Sequence, residues 1–65
     1  MNLKVGDKVT RMLAGVISLE LIVTKITSNT IECGDWTFDL ATGAEIDDYL
    51  GWGPPPKITG SYIKL

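Results

Sequence analysis

Ser18-Leu19-Glu20-Leu21-Ile22-Val23-Thr24-Lys25-Ile26-Thr27 is the stretch that sets the fold class. Leu19, Leu21 and Val23 share one parity, Glu20, Ile22 and Thr24 share the other, and β-branched residues crowd its second half. Side chains alternate across a pleated strand, so a period of two with this composition predicts a β-strand with Leu19, Leu21 and Val23 facing a core. Ile26 departs from that parity, which predicts a bulge or a sharp bend of the kind found in small barrels.

The flanking segments repeat the pattern between turn signals. Before it, Val9, Arg11 and Leu13 fall on one face and Lys8, Thr10 and Met12 on the other, ending at Ala14-Gly15. After it, Ser28-Asn29 reads as a tight turn, and Thr30-Ile31-Glu32-Cys33 alternates with Ile31 and Cys33 inward. Gly34-Asp35 makes the next turn, and Trp36-Thr37-Phe38-Asp39-Leu40 places Trp36, Phe38 and Leu40 on the core side. Ala41-Thr42-Gly43-Ala44 turns the chain again, and Glu45-Ile46 pairs back briefly. Asp47 is positioned to cap one short helical turn over residues 47–50, closed by Gly51. Gly60 to Leu65 reads as a last strand laid against the first.

About five short strands with at most that one helical turn predict an all-β fold: a small, single-domain antiparallel barrel of the SH3-like kind spanning residues 1–65. An OB-like barrel calls for a longer chain and an intervening helix. A chain of 65 residues buries only about 60% of the surface its unfolded form exposes, so every large apolar side chain counts.

Several function classes recede on composition. With one cysteine and no histidine, neither an intramolecular disulfide framework nor a Cys/His zinc site is available. The start, Met1 to Asp7, has no basic region followed by an apolar run, and no stretch of about 18 apolar residues occurs, so a cytoplasmic location is expected. The net charge is −2. Residues 33–65 carry the acidic excess, with Asp35, Asp39, Glu45, Asp47 and Asp48 against Lys57 and Lys64. A nucleic-acid surface ordinarily needs a basic stripe that displaces counterions. Here Lys8, Arg11, Lys25 and Lys57 would have to converge on one face.

Val5-Gly6-Asp7-Lys8-Val9, the Ile31-Glu32-Cys33-Gly34-Asp35-Trp36-Thr37-Phe38 block, Thr42-Gly43-Ala44-Glu45-Ile46-Asp47 and Leu50-Gly51-Trp52-Gly53-Pro54-Pro55-Pro56 together resemble a family of small uncharacterised bacterial proteins with SH3-like barrels. The resemblance runs along nearly the whole chain. It implies the fold and brings no activity, cofactor or catalytic residue with it.

The individual candidates follow from their chemistry. Cys33, on an inward strand face without a base nearby, reads as a small buried hydrophobe. The five carboxylates have neither the spacing of a calcium loop nor that of a glycosidase pair, and read as a solvated acidic rim. Thr42-Gly43 and Thr59-Gly60-Ser61 read as conformational turns ahead of anion nests. Trp52, between two glycines and followed by three prolines, cannot sit in a helix or a central strand. Its indole is expected to pack across an open end of the barrel with one edge accessible, the prolines spanning that end.

The resulting expectation is a binding protein without catalysis, metal or cofactor, since a barrel of this size offers neither a deep pocket nor an obvious base. Another protein is the expected partner, met by Tyr49, Trp52, Asp47, Asp48 and Glu45. A nucleic-acid-binding barrel and a structural or accessory subunit of a larger assembly are the alternatives.

Overall fold

Residues 3–56 and 60–65 are described by a computed structural model. Lys57 and Thr59, which enter the expectations above as a cation and as part of a turn, lie outside the described residues. The chain forms seven short strands: β1 (Lys8–Leu13), β2 (Ile17–Ile22), β3 (Lys25–Ile26), β4 (Thr30–Cys33), β5 (Trp36–Asp39), β6 (Glu45–Ile46) and β7 (Ser61–Ile63). They build two antiparallel sheets, ordered β2-β1-β7 and β3-β4-β5-β6. The all-β expectation holds, whereas a closed barrel is not found: the sheets meet at a bent chain segment and at an isolated bridge between Ala44 and Tyr62.

The bend is where Ile26 breaks parity. Val23 exchanges backbone hydrogen bonds with the start of the chain, donating to the Asp7 carbonyl (2.9 Å) and accepting from the Gly6 N–H (2.8 Å). The next residue, Thr24, donates instead to the Glu32 carbonyl (2.8 Å) on β4. Adjacent residues thus hydrogen-bond in opposite directions, and the single strand expected over Ser18–Thr27 becomes β2 and β3 with Val23 and Thr24 between them.

Turn chemistry sets the remaining joints. Ala14 and Gly15 both have positive φ (53° and 72°), with the Val16 N–H donating to the Leu13 carbonyl. With Leu13 opposite Ile17, the chain reverses over the three residues Ala14, Gly15 and Val16. Across β1, Arg11 faces Leu19 on β2 and Ile63 on β7. The last strand therefore lies against the first.

Phe38, Ile31, Ile63, Val23, Cys33 and Val9 form the core, with Leu3, Leu21, Ile26 and Leu40 packed around it. Two residues expected inside are exposed, Leu19 and Trp36. Leu19 lies on β2, an edge strand of its sheet, and Trp36 opens β5 with its ring against the Arg11 guanidinium. The helical turn expected over residues 47–50 is also corrected. Among the described residues there is no helix, because Asp47 and Trp52 exchange two backbone hydrogen bonds (3.0 and 2.9 Å) and close the chain into a hairpin tip.

Candidate functional site

Two features meet at the β6 end of the molecule: a buried polar cluster and the hairpin tip above it. Arg11 sits mid-strand in β1 on the same face as Val9, and is only 8% exposed. Glu45, the first residue of β6, is 3% exposed. The Arg11 guanidinium holds the Glu45 Oε1 through Nη2 (2.8 Å) and Nε (3.0 Å). Ser61 of β7 completes the cluster: its hydroxyl donates to Glu45 Oε1 (2.5 Å) and accepts from Arg11 Nε (2.8 Å). The open face of the guanidinium lies 5.2 Å from the centroid of the Trp36 ring, a cation–π arrangement. A buried charge is tolerable only when paired and hydrogen-bonded, and this cluster meets that condition.

Glu45 therefore leaves the set of surface contacts, and Arg11 leaves the set of cations that a nucleic acid would require. The acidic rim shrinks further. Asp39 spends its Oδ2 on the N–H groups of Ala41 and Thr42 and on the Thr42 hydroxyl, fixing the turn before β6. Asp47 Oδ1 accepts from the N–H groups of Tyr49 (3.0 Å) and Leu50 (3.2 Å), so it caps the tip as expected of a capping aspartate, but on a turn. Asp35 and Asp48 remain exposed.

The tip itself carries the apolar surface. Tyr49 is 97% exposed and Leu50 beside it is exposed as well. Trp52 is partly buried, and with Gly53, Pro56 and Gly60 it lines a cavity of about 10 Å³ beside Glu45 and Ser61. That volume is at the lower limit for one water molecule. Trp52 thus lies beside the polar cluster and is neither fully buried nor fully exposed. A wider depression of about 370 Å³ near Ser28, Asn29, Asp39, Leu40 and Ala41 lies away from both features. Its one carboxylate is already engaged by the Thr42 turn.

Cys33 is buried and unpaired, and burial raises its thiol pKa above the ordinary value. Among the described residues no three histidine, cysteine or carboxylate groups gather as a metal site. No family model, curated protein or solved structure matches the chain. The placement of Arg11 on the same strand face as Val9 and Leu13 was the available signal for the polar cluster, since a charge among apolar neighbours demands a partner once that face is buried. The identity of that partner, Glu45, is a long-range fact.

Proposed function

We propose that the protein is a non-catalytic binding module that docks another protein on the hairpin tip between Asp47 and Trp52. One observation carries this reading: Tyr49 is almost fully exposed on a loop whose base is locked by paired backbone bonds and whose centre is held by Asp47. An exposed aromatic on a pre-ordered loop contributes large contact area at little entropic cost, which is how interface anchors work. Leu50 extends the apolar patch, Asp48 adds an exposed negative charge, and Trp52 closes the base of the loop through its backbone pair with Asp47.

The nucleic-acid alternative loses support because Arg11 is internal and Lys8 lies 3.7 Å from Glu20. A subunit role in a larger assembly is compatible with the same surface. Within this reading the two sheets are the halves of a strongly bent SH3-like barrel, supported by the bend at Val23-Thr24 and the Ala44–Tyr62 bridge. A cytoplasmic setting is proposed on the free Cys33 thiol and on the absence, among the described residues, of a helix long and apolar enough to cross a membrane.

Capture from host extract with wild type and Tyr49→Ala in parallel tests the assignment. Partners should be retained by wild type and lost with Tyr49→Ala, while single-stranded RNA should bind neither at low salt. Equal recovery by both proteins would remove the tip as the recognition surface.

A further inference from the structure

The outer edge of β2 offers a second surface, independent of the hairpin tip. In β1 the Thr10 carbonyl accepts from the Lys64 N–H beyond β7, so the even residues of β1 turn their backbone groups toward β7 and the odd ones toward β2. The β1 partners Ile17, Leu19 and Leu21 accordingly point their N–H and C=O groups inward, and Ser18, Glu20 and Ile22 point theirs outward. Among the described residues nothing pairs with that outward row. β2 also lacks the devices that protect a free edge: it has six residues, no proline, no lysine and no bulge, with Glu20 as its one charge. By contrast, β3, the edge of the other sheet, is two residues long and opens with Lys25. The apolar side chains of this segment are unusually exposed, Val16 at 80% and Ile17, Leu19 and Ile22 at 43–50%.

We infer that β2 pairs antiparallel with β2 of a second copy of this chain about a two-fold axis at Leu19, joining the two three-stranded sheets into one of six strands. The register follows from face and charge. A two-fold axis perpendicular to the sheet keeps the faces matched, so it must pass through a residue and not between two. Centring on Glu20 sets two carboxylates directly opposite each other, which is destabilising. Centring on Ser18 sets Glu20 against Val16 and leaves Leu21 and Ile22 outside the paired segment. Centring on Leu19 sets Leu19 against its own copy, Ile17 against Leu21 and Ile22 against Val16, so every exposed apolar side chain meets another. Ser18 then faces Glu20, and these are the residues whose backbone groups point outward, so the hydrogen bonds fall into place. The Glu20 carboxylates end up diagonal to each other, each within reach of its own Lys8.

Sedimentation equilibrium over a dilution series tests the inference with charges at the symmetric position. Wild type should approach twice the 7.1 kDa chain mass. Leu19→Lys and Leu19→Glu should each stay at the mass of one chain, because like charges then meet at the axis. Their equimolar mixture should recover the dimer, which an unfolded variant cannot do. Ser18→Pro removes one outward N–H at a position tolerant of proline, and should give a folded monomer. A wild type that stays monomeric at every concentration overturns the inference. So does a dimer that survives Ser18→Pro or either charged variant, or a mixture that remains monomeric.

Discussion

Arg11 and Glu45, 34 residues apart, form an ion pair inside the protein, with the guanidinium Nη2 2.8 Å from the carboxylate Oε1. The pair ties β1 of one sheet to β6 of the other, and Ser61 joins β7 to the same oxygen. Removing one member leaves an uncompensated buried charge, so Arg11→Met and Glu45→Leu should each cost about 3–5 kcal/mol. Replacing both, as in Arg11→Met with Glu45→Leu, should cost clearly less than the sum of the singles. Urea unfolding of the four proteins measures this. Strict additivity of the singles and the double would mean that the two side chains do not depend on each other.

The strand pattern was legible because period two is a local property. Ile31, Cys33, Phe38 and Val23 are buried as their parity requires. Leu19 and Trp36 obey the same parity and are exposed, because parity assigns a face and says nothing about how much of it is covered. Glu45 was misplaced on the surface for a different reason. Its burial depends on Arg11 and Ser61, which are 34 and 16 residues away, and no local pattern carries such a pairing. Asp47 shows the intermediate case: its capping role was readable from its position, but the paired Asp47–Trp52 backbone turned a helical turn into a hairpin tip.

Gly43 and Gly34 should respond differently to alanine. Both have positive φ (81° and 66°). At Gly34 an added Cβ meets open space, so only the left-handed conformation is penalised, at roughly 1–2 kcal/mol. At Gly43 the Cβ would collide with the Ile63 backbone carbonyl and press on the Leu65 side chain, in a turn whose own carbonyl accepts the Ile63 N–H. Gly43→Ala should therefore lose at least about 3 kcal/mol or fail to fold. Thermal unfolding of the two variants side by side distinguishes them, and equal losses would contradict the close approach of β7 to this turn.

Trp52 and Tyr49 separate stability from contact. Tyr49→Ala removes a ring that touches little of its own chain and should change stability by no more than about 0.5 kcal/mol. Trp52→Ala removes a wall of the cavity beside Glu45 and Ser61 and should cost about 1–3 kcal/mol, below the loss typical of a fully buried aromatic because the residue is only partly buried. Chemical denaturation checks both. A Trp52→Ala variant as stable as wild type would mean that the indole does not pack beside the polar cluster.

Cys33 gives stability a pH dependence whose sign can be worked out. Burial raises the thiol pKa in the folded protein, while the unfolded chain titrates near the ordinary value of about 8.5. Above that value the unfolded state releases its proton first, so unfolding becomes more favourable as pH rises. The stabilisation is complete below the unfolded pKa and declines as pH climbs toward the folded one, by at most about 1.4 kcal/mol per pH unit. The informative quantity is the difference between wild type and Cys33→Ala, which isolates this thiol. That variant should be less stable at neutral pH, from the lost packing in the core, and the gap should narrow steadily above about pH 8.5. Urea unfolding from pH 7.5 to 10 measures it. Parallel curves would show that the folded and unfolded thiols titrate alike, and that Cys33 is more open to water than its place in the core cluster implies.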